Sequence, residues 1–264
     1  MAQAMSAMAK AINALAYKHG TYNVFADFCE MAAISFSNAV DKQQYQGRES
    51  RYMEMIKKYS AEELNEFPKL LILLANEMEI APRDVLGELF HELELHNQHA
   101  GQFFTPYGLC EMMAKMTFDK GIQRTIDEKG HMTLQEPACG SGAMVIAFAM
   151  AMYSYKINYQ HCLHVSAIDI DIRCVHMTYV QFSLLHIPAV VYAGNTLTME
   201  MRESWYTPAH IMGGWDWRLR STAKPVPEAA ILPIKTETVC IDTTPKESPK
   251  TARKVANAGQ LTLF

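Results

Sequence analysis

The run Leu134-Gln135-Glu136-Pro137-Ala138-Cys139-Gly140-Ser141-Gly142 carries the residue types that wrap a chain around a small ligand. An apolar segment beginning near Met132 meets an acid, a proline and two glycines one residue apart. Glycine accepts positive φ and lacks a Cβ, so Gly140 and Gly142 allow a tight turn with close backbone approach. The apolar run Ala143 to Met150 follows at once, and a helix there aims its unpaired N–H groups at the turn's occupant. Two more acids, in Ala167-Ile168-Asp169-Ile170-Asp171, close a second apolar run. An acid at such a strand end accepts hydrogen bonds from both hydroxyls of a ribose. Asp169 is expected in that role, with Asp171 as its alternative.

Strands and helices must alternate to bring these groups together. Met132 to Glu136 reads as a first strand with its helix over Ala143 to Tyr155. His164 to Asp169 reads as a second, with its helix over Arg173 to Leu185, and Val190 to Ala193 as a short third. That alternation argues an α/β fold with a parallel, doubly wound sheet. Residues 1–97 read as helices. Met5, Met8, Ile12 and Leu15 fall at helical spacing, as do Phe25, Phe28, Ala32 and Phe36, with Gly20 between the two runs. Asp41 to Ser50 is polar and reads as a loop, Ser60-Ala61-Glu62-Glu63 is a capping box, and Pro68 opens a helix over Lys69 to Glu79. Pro82 opens an amphipathic segment with Leu86, Leu89, Phe90 and Leu93 on one stripe. The expected organisation is a helical region over 1–97, a ligand-binding core over 98–220 and a tail over 221–264.

Composition bounds the function. The chain has 264 residues, 49% hydrophobic and 20% charged, with a net charge of −4. Length suffices for one sizeable core, and the charge gives no global attraction to nucleic acid, so DNA contact needs a local patch. The six cysteines follow no framework and suit reduced thiols in a cytoplasm. No apolar run reaches membrane-spanning length, and the first residues lack the pattern of a signal peptide. His161, Cys162, His164, Cys174 and His176 suggest zinc, but a six-residue strand separates the two groups by roughly 17–20 Å, too far for one metal. His91, His96 and His99 span a helix end, where they face solvent or the helix dipole. No metal is expected.

Glu-Pro-Ala-Cys-Gly-Ser-Gly resembles the first cofactor motif of the N-6 adenine DNA methylases, notably the modification subunits of type I restriction systems. Gly101-Gln102-Phe103-Phe104-Thr105-Pro106 is similar to the motif preceding it in that family, and Gly194-Asn195-Thr196-Leu197 to the Gly-Asp-x-Leu turn following it. Asp84-Val85-Leu86-Gly87-Glu88-Leu89-Phe90-His91-Glu92-Leu93 resembles the family's Asp-x-Leu-Gly helix. The resemblance covers roughly Asp84 to Leu197. It implies a Rossmann-like, class I S-adenosylmethionine-dependent methyltransferase core. Thr105 and Pro106 would lie over the methionine end of the cofactor, and Glu136 would face its α-ammonium, the alternative for Glu136 being a cap on the following turn. Pro137, Cys139, Gly140 and Gly142 would form the enclosing turn, and Asn195 would meet the adenine edge through an amide that both donates and accepts. The helical region would engage DNA or a partner subunit, or serve as a structural cap.

One motif is missing. The family's Asn/Asp/Ser-Pro-Pro-aromatic loop holds the flipped base, yet this sequence has no Pro-Pro, Asn-Pro or Asp-Pro, and its Ser-Pro (Ser248-Pro249) lies far downstream. Trp205-Tyr206-Thr207-Pro208 falls roughly where that loop is expected, which makes Tyr206 and Pro208 the catalytic candidates. Little chain follows Leu197, so the sheet is expected to be truncated. From Ser221 the proline-rich composition argues disorder. The last residues, Gln260-Leu261-Thr262-Leu263-Phe264, are similar to the peptide by which bacterial proteins dock on the DNA polymerase sliding clamp; the alternative is a strand folding back on this protein's own sheet. Two functions follow: an adenine-specific DNA methylase relative that binds S-adenosylmethionine, acts on DNA and completes its site with a modification or specificity subunit, or an inactive cofactor- and DNA-binding module recruited to the clamp.

Overall fold

The computed structural model describes residues 2–95, 104–118 and 120–222. Six helices come first: α1 (Ala2–His19), α2 (Thr21–Val40), α3 (Tyr45–Ile56), α4 (Ala61–Leu64), α5 (Glu66–Ile80) and α6 (Val85–Glu92). Gly20 separates α1 from α2 at φ 81°, where a side chain would be strained. Ser60 and Glu63 form the expected reciprocal capping box at α4. Two expectations need correction here. The polar stretch after Asp41 is helical from Tyr45, and α5 begins at Glu66 with Pro68 inside its first turn, where a missing N–H costs no helical bond.

The α/β core follows: α7 (Tyr107–Thr117), α8 (Lys120–Lys129), β1 (Met132–Glu136), α9 (Ala143–Ser154), α10 (Tyr159–Cys162), β2 (Leu163–Asp169), α11 (Ile172–Leu184) and β3 (Ala189–Asn195). After it come β4 (Glu200–Tyr206), α12 (Pro208–Met212) and α13 (Trp215–Thr222). The four strands lie in the order β1-β2-β3-β4, the first three parallel and β4 antiparallel to β3. This is a truncated Rossmann-like arrangement. Among the described residues it is not doubly wound, because their strand order does not reverse. β4, α12 and α13 follow Leu197, where no further element was expected. Glu-Met-Arg-Glu-Ser-Trp-Tyr has the charged composition of an edge strand and gives no alternating apolar signal.

One hydrophobic core runs from Met8 in α1 to Trp205 in β4 and joins the helical region to the sheet. Leu134, Val165, Ala167, Val191, Ala193 and Trp205 face into it and are buried. Their neighbours along the strands point the other way. On that second face α12 and α13 cover one end, where Trp215 packs on His131 and His164, while Thr133 is exposed and Gln135, Ser166, Tyr192 and Ser204 are half-buried. β4 is clasped by α3: Arg48 donates to Ser37, to Asp41 (3.1 Å) and to the Ser204 carbonyl (2.8 Å), and its guanidinium carbon lies over the Trp205 ring at 3.8 Å. Arg51 bridges Glu30 and Glu203 beside it. β1 has no such cover: it pairs with β2 alone among the described residues. The register points the N–H and C=O groups of Thr133 and Gln135 outward from the sheet. No described helix is long and apolar enough to cross a membrane.

Candidate functional site

A cleft of about 750 Å³ opens at the carboxyl ends of β1 and β2, where α/β sheets bind ligands. Glu136 ends β1 and Asp169 ends β2, so both carboxyl groups reach its floor from rigid strands. Between them runs the glycine turn, with Gly140 at φ 54° and Gly142 at φ 94°. Its conformation is tied at each residue. The Cys139 N–H donates to the Ile168 carbonyl (2.8 Å), the Gly140 N–H to Asp169 Oδ2 (2.9 Å) and the Gly142 N–H to the Cys139 carbonyl (2.7 Å). Thr178 Oγ1 donates to the Gly140 carbonyl (2.9 Å).

The two glycines do different work. Gly140 lines the cleft, and a Cβ there would meet the Phe104 ring at 3.1 Å. At Gly142 a Cβ would point away from the cleft, into Phe182 of α11 at 2.8 Å. The expectation that Gly142 makes space for the ligand is therefore corrected: it makes space for helix packing.

The cleft is acidic. Glu136 is 8% exposed, and among the described residues its carboxyl accepts one hydrogen bond, from the Ala138 N–H (3.2 Å). Burial, with the neighbouring Asp169 charge, pushes its carboxyl up to about 7 against that bond. Asp169 is likewise raised by burial, opposed by the Asp171 and Gly140 amides. Asp171 caps α11 and pairs with Arg173 at 2.6 Å. Arg173, the one cation among the described lining residues, is thus neutralised within the cleft and also lies over Tyr22 at 4.8 Å. A cleft with this charge suits a cationic ligand and repels a diphosphate. The turn's amides at Gly140 and Gly142 are already engaged, so they cannot cradle phosphate as in dinucleotide sites.

Of the expected binding residues, Thr105, Glu136, Cys139, Gly140, Asp169 and Asp171 line the cleft together. Pro106 starts α7 behind it, and the Pro137 carbonyl accepts from Thr196 Oγ1 at 2.5 Å, which ties the β3–β4 hairpin to the turn. Asn195 Oδ1 accepts the Leu197 N–H (2.9 Å) in a turn of that hairpin, and Asn195 is not on the lining. The catalytic candidates are displaced. Because β4 runs antiparallel, Tyr206 pairs with Val190 near the start of β3, and Pro208 opens α12 beyond it. Both therefore sit at the end of the sheet opposite Glu136 and Asp169, beside His210. His164 bonds His210 at 2.9 Å there, His176 packs on Trp205, and Cys174 lies in the cleft wall. Gly101, Gln102, Phe103, His96, His99, Cys240 and the terminal Gln260, Leu261, Leu263 and Phe264 lie outside the described residues.

Sequence reasoning missed Tyr22, Leu95, Met144, Ile170 and Arg173 on the lining. Ile170 and Arg173 flank the expected acids and were open to inspection; Tyr22, far upstream in α2, carried no local signal. Residues 83–213 match the family model described as N-6 DNA methylase. No curated protein and no solved structure matches the chain.

Proposed function

Because the chain belongs, through residues 83–213, to the N-6 DNA methylase family, we propose that its cleft binds S-adenosylmethionine and that it works at DNA with catalytic groups from a partner subunit. The observation that carries this reading is the acidic cleft on a glycine turn. Glu136 suits the cofactor's ammonium, since a charge-assisted bond there compensates its burial. Asp169 suits the ribose hydroxyls, because each of its oxygens keeps acceptor capacity while Asp171 is engaged with Arg173. Thr105, with Pro106 behind it, belongs to the methionine end. Pro137, Cys139 and Gly140 shape the enclosing turn. Asn195 has no partner for its amide N–H groups among the described residues and suits the adenine edge, and Gly142 acts through packing. When bound, the cofactor supplies an electrophilic methyl group; this chain's residues bind and orient it.

The partner reading rests on what is missing. No Asn/Asp-Pro-Pro-aromatic loop occurs in the sequence, and the outward edge of β1 ends at Glu136 in the cleft. A strand added to that edge would bring its own end to the cleft mouth. A modification or specificity subunit fits this description. No disulfide joins any two of the five described cysteines, in keeping with a cytoplasmic setting. The second reading, an inactive cofactor- and DNA-binding module recruited to the bacterial sliding clamp, draws on the same missing loop and on Gln260, Leu261, Leu263 and Phe264.

Calorimetry with S-adenosylmethionine and its demethylated product tests the first step. Saturable binding is expected, and heats indistinguishable from dilution at millimolar ligand would reject it. Radiolabelled methyl transfer to DNA, with and without candidate subunits, then separates the two readings.

A further inference from the structure

Asp84 lies outside the cleft lining, in the helical region, yet it reaches the glycine turn. Its side chain is buried at 3% exposure and caps α6, Oδ1 accepting the Gly87 N–H at 2.9 Å. The same oxygen accepts Gln181 Nε2 of α11 at 2.8 Å. Its Oδ2 accepts Ser141 Oγ, between the two turn glycines, at 2.5 Å. Gln181 completes the loop of bonds: its Nε2 also donates to the Ser141 carbonyl (2.7 Å), and its Oε1 accepts the Leu86 N–H (3.0 Å). All three side chains are buried, with Gln181 at 0% and Ser141 at 2% exposure. Gly87 closes the arrangement, because a Cβ there would fall 2.0 Å from Asp84 Oδ2. The spacing from Asp84 to Gly87 is therefore a steric requirement of a carboxylate turned back over its own helix.

The turn at Gly140 and Gly142 has positive φ at both glycines, where the backbone has least intrinsic preference. Its strand side is fastened by Asp169 and Ile168. Ser141, at the crest, is fastened from the opposite side by Asp84 and Gln181. We propose that Asp84 is a positioning residue which, through Ser141 and with Gln181, holds the glycine turn in its ligand-accepting shape and couples α6 of the helical region to the cofactor site. This rests on the cofactor reading above. Because coupling between sites is reciprocal, a ligand in the cleft should also protect the Leu86 and Gly87 amides.

The test uses the full chain and two readouts. Hydrogen exchange of residues 139–143 without ligand reports the turn directly. S-adenosylmethionine affinity by calorimetry reports its consequence. Asp84→Ala and Ser141→Ala should each speed exchange in the turn and weaken binding by roughly tenfold, with the double variant no worse than the worse single one. Asp84→Asn should restore both readouts: its carbonyl can take the Gly87 and Gln181 donors while its NH2 group donates to Ser141 Oγ. That rescue distinguishes positioning from loss of fold, and Ser141→Ala stands in if Asp84→Ala does not fold. Wild-type exchange rates in the turn of folded Ser141→Ala would overturn the proposal whether or not the cofactor binds. Additive losses, or failure of Asp84→Asn to rescue, would overturn it as well. Absence of wild-type binding with the exchange effects intact would instead count against the cofactor reading alone.

Discussion

At the scale of single residues the site turns on Glu136. A buried carboxyl raised to about 7 holds its proton more tightly folded than unfolded. Its contribution to stability is therefore full below its ordinary value near 4.5 and lost as pH rises through about 7. Glu136→Gln should raise the melting temperature at pH 8 by the equivalent of about 1–3 kcal/mol and leave it unchanged near pH 4. A cationic ligand reverses the preference. S-adenosylmethionine affinity should fall as pH drops below 7 in the wild type, and should be weaker and less dependent on pH in Glu136→Gln. A wild-type affinity constant from pH 6 to 8 would remove Glu136 from the ammonium site. The glycines give a second residue-scale expectation. Gly142→Val should lower the melting temperature sharply, because its Cβ strikes Phe182 and its φ is 94°. The cost is about 2 kcal/mol or more, and it appears without any ligand present.

Whole elements are positioned by polar fasteners that cross the core. Arg48 joins α2, α3 and β4 at once through Ser37, Asp41 and the Ser204 carbonyl, and burial holds its guanidinium below its ordinary value. Removing it strands the buried Asp41 carboxylate. Arg48→Ala should cost about 3–5 kcal/mol, read as a drop in the denaturation midpoint. Arg48→Ala combined with Asp41→Asn should recover part of that loss. If the single variant melts with the wild type, α3 does not secure the edge strand. β1 stands in contrast to β4, since its outward edge carries no comparable fastener among the described residues. The same sheet thus has one guarded edge and one open edge, and the open one ends at the cleft.

For the whole molecule, a cofactor cleft without the base-holding loop predicts binding without turnover. The isolated protein should transfer little or no methyl to DNA in a radiolabel assay, and activity should appear with a partner subunit; robust turnover by the chain alone would defeat this. The proposal that the last five residues dock on the clamp is tested separately. Two apolar side chains, Leu263 and Phe264, each contribute about 1.5–3 kcal/mol when buried in a pocket, less the cost of ordering the terminus. Micromolar binding to the bacterial clamp is the expected scale, residing in Gln260, Leu263 and Phe264 with Thr262 nearly silent. Deleting the five residues should abolish clamp pull-down and leave the melting curve and cofactor affinity unchanged. A lowered melting temperature with no clamp binding in the intact chain would favour the strand that folds back on this sheet.

The sequence by itself determined the elements whose causes are local. β1 spans Met132–Glu136 as its apolar run predicts, and the glycine spacing places a turn before α9. Strand-end acids stand where period-2 runs stop, because hydrophobic periodicity and missing Cβ atoms act within a few residues. Tertiary structure decided everything that depends on distant partners. Asp84 meets Ser141 and Gln181 across separations of 57 and 97 residues, and Tyr22 reaches the cleft from a helix with no motif. The antiparallel return of β4 carried Tyr206 and Pro208 to the end of the sheet opposite the cleft, since strand direction follows from packing against β3 and α3 and leaves no periodic trace. A buried polar bond is written in the sequence only as two ordinary residues. Which pairs meet is fixed by the core that encloses them.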